Sequence, residues 1–299
     1  AVMRALVVTP GSPSGLVLGE APDPAPAPDE ALVAIEHSSL NFGDVSGAPG
    51  ATPGSVPGWD GAGVVIKAAE DGSGPAAGQR VLTFGYAGAW ASRRAVPVAE
   101  LAVVPASVDL AVAAALPVAG VTALRALRRS GALLGRRVLV TGASGGVGRY
   151  AVQLAALGGG YVIAAARRGA GLAELGAHEV VAGAGGLDPV DVVVETVGGA
   201  TLVEAWAALA PGGVLQSIGW TSGEPAVLPV YGTVGPAKSL VSFQAGKAYS
   251  ADLAYLLDLV EQGRLTVDVG WRGSWRRFDE AVAGLLGRKF AGKAVLDHD

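Results

Sequence analysis

The chain has 299 residues, of which 51% are hydrophobic and 16% are charged, so one large or two smaller folded domains are expected and a disordered chain is excluded. The formal net charge of −4, with no basic block, argues against a nucleic-acid-binding surface. The absence of cysteine excludes disulfides, thiolate nucleophiles and cysteine-based zinc sites. No apolar run is long enough to cross a membrane, so we expect a cytoplasmic protein without a membrane partner.

Short strands separated by turns rich in Gly and Pro are predicted over the first hundred residues. Strands are predicted at residues 3–8 and 31–36, within 58–66 after an entry of small residues, and within 78–84 after a turn, and residues 95–104 are predicted to form one or two short strands. Residues 21–29 are predicted to be an irregular, Pro-rich connection. This pattern predicts a small β barrel or sandwich.

From Asp109 onward, helical patterns replace the strands and then alternate with new ones. Helices are predicted at residues 110–116, 122–127, 147–157 and 202–209, and strands at residues 137–140, 161–166, 179–181, 190–195, 213–218 and 238–243. This alternation predicts a parallel, doubly wound α/β sheet. A helix at residues 250–262, another near 278–286 and a strand at 293–296 follow, and we expect this tail to complete the N-terminal β domain.

One stretch joins a buried strand to a helix through a Gly-rich turn. After the apolar residues 138–140 come Thr141 and the turn, and Val147, Ala151 and Leu154 then fall at helical spacing. The dinucleotide fingerprint is met with one exchange, because Ala143 stands at the first glycine and is followed by Gly145 and Gly148. A Gly-rich turn that opens a helix presents backbone N–H groups to a diphosphate. The stretch therefore predicts a dinucleotide site.

Six motifs, including this Gly-rich turn, occur in a fixed order along the chain. They are Ser-Leu-Asn-Phe-Gly-Asp at 39–44, the segments 56–65 and 114–123, the Gly-rich turn at 142–148, Asp-Val-Val-Val-Glu-Thr-Val-Gly-Gly at 191–199, and Pro-Gly-Gly at 211–213. Together they resemble the medium-chain dehydrogenase/reductases, in the zinc-independent branch of quinone oxidoreductases and enoyl reductases. The resemblance implies a GroES-like β-rich catalytic domain at 1–112 and 247–299, a Rossmann domain at 113–246, an active site in the cleft between them, and a homodimer.

Short-chain dehydrogenases are the nearest rival family, because residues 141–148 also fit their Thr-Gly-x-x-x-Gly-x-Gly pattern. In that family the motif lies near the N-terminus and a Tyr-x-x-x-Lys pair follows it. Here the motif follows a β-rich domain, and no tyrosine has a lysine four positions later. The rival is rejected.

The cofactor type is predicted from the end of the second Rossmann strand. An NAD enzyme generally has Asp or Glu there to bind the ribose 2′-hydroxyl, but this chain has Arg167 and Arg168. Guanidinium groups suit a phosphate dianion, so we predict NADPH, with Ser144 also near the 2′-phosphate. A solvated strand end is the alternative, and the lysine and tyrosine that the family often adds nearby are missing. The resemblance implies these cofactor contacts: Asn41, Thr122, Gly142, Ser144, Gly145, Gly146, Val147, Arg167, Arg168, Val197, Gly219 and Phe243.

A catalytic metal is not expected. Zinc-dependent relatives have a cysteine where Asn41 stands and Gly-His-Glu where this chain has Gly-Trp-Asp at 58–60, and the three histidines show no ligand spacing. Without a Lewis acid, the favoured reactions need mainly hydride delivery. The expected substrate is a small electrophile, either a quinone or an α,β-unsaturated carbonyl compound.

Three residues are candidates for catalysis: Asn41, Asp44 and Tyr86. The resemblance puts Asn41 beside the nicotinamide ribose or the substrate carbonyl, with Asp44 bracing its loop. Loop capping is the alternative for both, and ordinary packing is the alternative for Tyr86. No proton donor is identified, and solvent could supply the proton. A catalytically silent NADPH-binding sensor on the same fold is the alternative function.

Overall fold

The computed structural model describes all 299 residues. They form two compact units, one made of Ala1–Val121 with Lys247–Asp299, the other of Thr122–Gly246. No helix combines the length and the apolar character that are needed to span a bilayer.

The elements follow one another in three groups along the chain. The first group is β1 (Val2–Val8), β2 (Leu16–Pro22), β3 (Glu30–Leu40), α1 (Phe42–Gly47), β4 (Asp60–Lys67), β5 (Arg80–Phe84), β6 (Arg93–Pro97), β7 (Leu101–Val103), α2 (Leu110–Ala113) and α3 (Pro117–Arg129). The second is β8 (Arg137–Val140), α4 (Gly146–Leu157), β9 (Tyr161–Ala165), β10 (Glu179–Val181), β11 (Val190–Glu195), α5 (Gly199–Ala208), β12 (Leu209–Ser217) and β13 (Ser239–Ser242). The third is α6 (Ser250–Glu261), β14 (Val269–Ser274), α7 (Phe278–Leu286) and β15 (Lys293–Asp297). Short 3₁₀ turns occupy Ala48–Gly50, Val98–Glu100 and Trp275–Arg277.

The first unit is built on a mostly antiparallel sheet in the order β14-β15-β3-β4-β5-β7, with β6 beside β3. The long strand β3 pairs with β4, β6 and β15, so it joins the N-terminal and C-terminal parts of the chain. Strands β1 and β2 form a separate hairpin sheet. One hydrophobic cluster of the first unit buries Trp90, Trp275 and Phe278. The expected β-rich domain, completed by the C-terminal tail, is therefore present.

The second unit contains a six-stranded parallel sheet in the order β10-β9-β8-β11-β12-β13. Central strands β8 and β11 are apolar and buried, as expected for strands covered on both faces. The strand order reverses between β8 and β11, and their carboxyl ends lie side by side. The α/β fold class, with a β-rich domain and a doubly wound parallel sheet, is confirmed.

The sequence prediction was wrong at four elements. Strands β2 and β14 were not predicted, although β2 pairs with β1 over its whole length. The helix expected at 122–127 begins five residues earlier, because Pro117 occupies its first position, where a missing N–H costs nothing. The preceding helix, expected at 110–116, ends at Ala113.

Gly63 is the tightest point of the first sheet. An added Cβ would overlap the carbonyl oxygen of Ala34 in the paired strand and would lie 2.8 Å from its carbonyl carbon. Gly19 in β2 faces open space, so an added Cβ there meets nothing within 4 Å.

We expect Gly63→Ala to lower the free energy of unfolding by about 2 kcal/mol or more, because backbone atoms cannot move aside without breaking the β3–β4 pairing. Gly19→Ala is the matched control and should change stability by less than about 0.5 kcal/mol. Urea unfolding monitored by tryptophan fluorescence measures both variants. Equal stability of the two variants would contradict the prediction.

Candidate active site

The polar residues at 41–44 lie where β3 ends and helix α1 begins. The backbone N–H of Asn41 donates to Asp44 Oδ1 at 2.9 Å, and Asn41 Nδ2 lies 3.3 Å from Asp44 Oδ2. Together with the Asn41 side chain, which faces the backbone N–H of Asp44, this contact forms a capping box. The two catalytic candidates Asn41 and Asp44 are thus bonded to each other. Capping of the loop, the alternative to a catalytic role, is one of their functions.

Asp60 is the centre of the polar cluster and is fully buried. Its Oδ2 accepts from Ser39 Oγ at 2.7 Å and from Asn41 Nδ2 at 3.0 Å. Its Oδ1 accepts from the backbone N–H of Val118 at 2.9 Å, in the first turn of α3, where helix N–H groups have no partner within the helix. The pairing of Ser39 with Asp60 between β3 and β4 sets this position.

Lys293 completes the cluster from the last strand. Its Nζ donates to the Leu40 carbonyl at 2.7 Å and to Asn41 Oδ1 at 2.6 Å, and lies 3.3 Å from Asp60 Oδ2. The antiparallel pairing of β15 with β3, which aligns Ala294 with Leu40, brings the lysine here. Its side chain is 4% exposed, so the ion pair with Asp60 is buried.

Burial raises the pKa of Asp44 to about 7, an effect larger than that of any of its neighbours. The hydrogen bond from the Asn41 backbone and the charge of Lys293 lower the pKa, whereas the Asp60 carboxylate raises it. Asp44 therefore changes its charge near neutral pH, within a cluster that also contains the ion pair of Asp60 and Lys293.

Tyr86 lies outside this hydrogen-bonded cluster and is half exposed. Its ring packs edge-on against Trp59, at 5.3 Å between centroids, and against Phe84 at 5.5 Å. The Trp59 indole also lies over Gly43 in α1, where an added Cβ would be 2.9 Å from Cζ3. Trp59 therefore connects the loop of Tyr86 with the helix that contains Asp44.

The Tyr86 loop is anchored by a buried arginine. Arg94 donates through Nη1 to the Trp59 carbonyl at 3.0 Å and through Nη2 to the Ala87 carbonyl at 2.7 Å. Burial lowers the pKa of Arg94 to about 10. At neutral pH the charged guanidinium thus holds the backbone at Trp59 and the loop at 85–88 together.

In the second unit, the Gly-rich turn folds back on itself before α4. Gly142 has a φ of +55°, and its carbonyl accepts from the N–H of Gly145 at 3.0 Å. An added Cβ at Gly148 would lie 2.6 Å from Ala143 Cα, so only glycine permits this approach. The helix is capped by Gly145, which has no side chain to bond the first-turn N–H groups. These donors suit a diphosphate, so the residues fit a dinucleotide.

Glu195 ties this turn to the neighbouring strand end. It is fully buried and accepts from Thr141 Oγ1 at 2.6 Å and from the Val197 N–H at 3.0 Å. Thr196 Oγ1 donates in turn to the Thr141 carbonyl at 3.0 Å. The turns after β8 and β11 are therefore braced together on either side of the strand-order reversal.

Most of the predicted cofactor residues follow the carboxyl ends of the parallel strands. Residues 142–147 follow β8, Arg167 and Arg168 follow β9, Val197 follows β11, Gly219 follows β12 and Phe243 follows β13. Both arginines are exposed, and the Arg129 guanidinium lies 4.8 Å from the centre of the Phe243 ring. Thr122 is buried in α3.

The three histidines are bonded inside the protein. His37 Nδ1 lies 2.7 Å from Asp297, Ser38 Oγ lies 2.8 Å from His298 Nε2, and His178 Nδ1 accepts from the Val162 N–H. No group of three or more His, Asp or Glu side chains is arranged to hold a metal ion.

Two family models match the chain in succession. One is described as the alcohol dehydrogenase GroES-like domain and matches residues 27–106, and the other is described as zinc-binding dehydrogenase and matches residues 172–296. Mouse (Mus musculus) prostaglandin reductase-3 is 31% identical over 344 aligned positions that cover 99% of this chain and 89% of the relative. The chain belongs to the medium-chain dehydrogenase/reductases. This family is one of oxidoreductases, and the resemblance expected from the sequence is confirmed.

Other medium-chain dehydrogenase/reductase relatives differ in how much of their length is matched. The chain spans about a third of the rat (Rattus norvegicus) synaptic vesicle membrane protein VAT-1 homologue, with 39% identity over 137 residues, 44% of this chain and 34% of the relative. An acryloyl-coenzyme A reductase of Sulfurisphaera tokodaii is 26% identical over 98% of this chain and 99% of its own.

Three solved structures of similar chains resemble it over nearly the whole length. A quinone oxidoreductase of Pseudomonas syringae has a TM-score of 0.89 at 26% identity, with full coverage of both chains. A mycobacterial protein in complex with NADPH has a TM-score of 0.87 at 28% identity, covering 99% of this chain and 100% of its own. A Pyrobaculum aerophilum alcohol dehydrogenase with cobalt and zinc bound has a TM-score of 0.88 at 27% identity and full coverage.

Sequence reasoning missed the roles of Asp60, Lys293 and Glu195. Asp60 was noted only as the residue that follows Trp59. A charged residue next to apolar strand residues, as Lys293 is next to Ala294 and Val295, is the signal that could have predicted a buried, paired charge.

We expect the stability of this dehydrogenase/reductase to depend on the charge of Asp44. Because the pKa of Asp44 is raised in the folded protein, the folded state holds a proton that the unfolded state has released between about pH 4 and 7. The contribution of Asp44 to stability is thus fully present below pH 4 and is lost as the pH rises through 7. From pH 5 to 8, the wild type should lose on the order of 2 kcal/mol more than Asp44→Asn.

Urea unfolding of both proteins at pH 5, 6, 7 and 8 tests this expectation. Asp44→Asn shifts the whole curve by a constant amount if it weakens the cap, so only the difference in slope is diagnostic. Parallel curves for the two proteins would refute the raised pKa.

Proposed function

We propose that the protein is an NADPH-dependent reductase that delivers a hydride, without zinc, to a quinone or to the activated C=C of an α,β-unsaturated carbonyl compound. The observation that carries the proposal is the alignment of the predicted cofactor segments with the carboxyl ends of five parallel strands, where open α/β sheets bind ligands. The oxidoreductases that it matches over nearly their full length support the same conclusion. Its expected location is the cytoplasm.

Residues 113–246 are the proposed NADPH-binding domain, and the compact unit Thr122–Gly246 contains most of them. The N–H groups at the start of α4 would bind the diphosphate, and Arg167 and Arg168 would bind the 2′-phosphate, with Ser144 beside them. No acidic residue occurs between Tyr161 and Leu172 to repel that dianion. The bound nicotinamide supplies the hydride, and the protein supplies binding, orientation and the exclusion of water.

In the other unit, the proposed contributions come from the polar cluster and its aromatic neighbours. Asn41 orients a reacting group through its carboxamide, and Asp44 holds a proton near neutral pH. Tyr86 and Trp59 offer apolar faces for a flat, conjugated substrate such as a quinone. The domain assignment of residues 1–112 and 247–299 as the catalytic part follows from this division of roles.

Zinc independence rests on the chemistry of the residues in the cluster. The Lys293 ammonium already lies against Asn41 and Asp60, and a second cation there would be repelled. Neither an amide nor an indole at positions 41 and 59 is a ligand that zinc favours. The similarity to a zinc-binding family and to a metal-bound alcohol dehydrogenase makes this proposal worth testing directly.

NADPH oxidation measured with a panel of quinones and enones tests the function. We expect turnover with at least one acceptor class, retained after dialysis against a metal chelator. Tight NADPH binding with no acceptor reduced would instead favour the silent sensor, and loss of activity on chelation would overturn zinc independence.

The cofactor preference is tested by Arg167→Gln combined with Arg168→Gln. The Kd for NADPH should rise about tenfold to a hundredfold, because charge-assisted hydrogen bonds to the 2′-phosphate are lost, while the Kd for NADH stays within about twofold. Arg264→Gln, an exposed arginine after α6, is the control. An equal effect on both cofactors would rule out a 2′-phosphate role.

We also propose that a second copy of the chain pairs along β13. This strand is the edge of the parallel sheet, all four of its residues are exposed, and Val230, Tyr231 and Val234 nearby are more than two-thirds exposed. Edge strands with apolar surroundings are ready templates for pairing with another chain.

Val241→Lys should therefore convert a dimer into a monomer, because a charge on the edge disfavours strand pairing. Val180→Lys is the matched control, since Val180 is exposed on β10 at the opposite edge of the same sheet. Analytical ultracentrifugation of both variants and the wild type measures the effect. A monomeric wild type, or a Val241→Lys dimer, would contradict the proposal.

A further inference from the structure

Lys293 is the one ammonium of the polar cluster, and each of its hydrogens has a protein acceptor. The acceptors are the Leu40 carbonyl at 2.7 Å, Asn41 Oδ1 at 2.6 Å and Asp60 Oδ2 at 3.3 Å. An ammonium has three donors and no acceptor, so this geometry uses it completely. The residue therefore acts on other side chains and not on a ligand of its own.

The first consequence concerns the orientation of the Asn41 carboxamide. Its oxygen faces the Lys293 ammonium, and its nitrogen faces the carboxylates of Asp60, at 3.0 Å, and Asp44, at 3.3 Å. Rotating the amide by 180° would put its NH₂ against a cation and its oxygen against two acids. Only one orientation is compatible with these neighbours.

This orientation decides what Asn41 can offer outside the cluster. Both amide hydrogens already point at carboxylates, so Asn41 can meet a ligand only as an acceptor, through a lone pair of Oδ1. Asn41 is only partly buried, which leaves that lone pair within reach of a ligand. A partner for it must carry an N–H or O–H donor, such as a ribose hydroxyl or a carboxamide, and not a bare carbonyl oxygen.

The second consequence concerns charge. The charged groups that act on Asp44 are Asp60 on β4 and Lys293 on β15, with opposite effects on its ionisation. Without the ammonium, two carboxylates would face each other across one amide. The carboxyl group of Asp44 would then hold its proton to a higher pH.

We propose that Lys293 is the positioning residue of this site: its buried ammonium locks the Asn41 carboxamide so that it presents an acceptor oxygen, and it sets the ionisation of Asp44. This inference deepens the proposed reductase function and rests on it for its catalytic part. The part that concerns amide orientation stands on the geometry of the cluster alone, and the part that concerns carboxyl ionisation rests on that geometry together with the raised pKa of Asp44.

The first test needs no cofactor and no substrate. Carboxyl ¹³C signals of aspartate are titrated by NMR in the wild type and in Lys293→Met, and Asp44→Asn identifies the signal of Asp44. The titration midpoint of that signal should rise by about one pH unit or more in Lys293→Met, because a nearby opposite charge usually lowers a carboxyl pKa by at least that much. It should stay near the wild-type value in Lys293→Arg, which retains the charge. Lys67→Met, which removes an exposed lysine paired with Glu70, is the control and should leave the midpoint unchanged.

The second test measures kcat and KM with the best acceptor. Lys293→Met should lower kcat by about tenfold to a hundredfold, by analogy with the loss of residues that orient metal ligands, and Lys293→Arg should recover most of it. The pH at which kcat changes should move upward in Lys293→Met together with the carboxyl midpoint. A purely structural lysine would lower the amount of folded protein without moving either pH.

The outcomes separate the two proposals. A wild type that reduces no acceptor overturns the reductase function, while the carboxyl titration still decides the role of Lys293. An active wild type with an unchanged Asp44 midpoint and an unchanged kcat in Lys293→Met overturns the positioning role. If Lys293→Met does not fold, Lys293→Gln replaces it, because its amide can donate to Leu40 and Asn41 without a charge.

Discussion

The buried carboxylate of Asp60 is the constraint on which the first unit depends. It collects donors from residues 39, 41, 118 and 293, which belong to two strands, one loop and one helix N-terminus. A buried carboxylate is unfavourable unless every lone pair is satisfied, so an arrangement that lacks one donor is penalised. Because the donors are spread over 254 positions of sequence, this requirement selects one relative placement of β3, β4, α3 and β15.

Local pattern predicted the elements whose residues agree with their own secondary structure. The buried parallel strands β8 and β11 are rich in valine, and helix α7 has apolar residues at helical spacing, so all three were predicted almost to the residue. Strands β2 and β14 were missed for a common reason. Each contains glycine, at Gly19 and at Gly270 and Gly273, and their strand conformation comes from pairing with β1 and β15. No local pattern reports such a pairing.

The residues of the site also fall into those that local sequence predicts and those that it does not. The Gly-rich turn and the Asn41–Asp44 pair are contained within eight residues each, so spacing alone identified them. Lys293 lies 252 positions from Asn41, and a lysine is ordinarily expected at the surface. Only the register of β15 against β3 buries its ammonium beside that amide. The residues that hold a site together are thus harder to predict than those that form its motifs.

The charged groups proposed to bind the cofactor are exposed, whereas those of the polar cluster are buried. This difference fits the chemistry proposed for each unit. The turn before α4 offers backbone N–H groups and the exposed guanidiniums of Arg167 and Arg168, which attract a polyanion from solvent. The cluster around Asp60 is buried and contains one ion pair plus a carboxyl group whose pKa is about 7. With Asp44 protonated the cluster is neutral, and with Asp44 ionised it carries one negative charge. Hydride delivery makes the acceptor more negative, so the neutral cluster opposes that reaction less than the anionic one. Because the charges of Asp60 and Lys293 cancel within their ion pair, Asp44 is the group that decides between the two states.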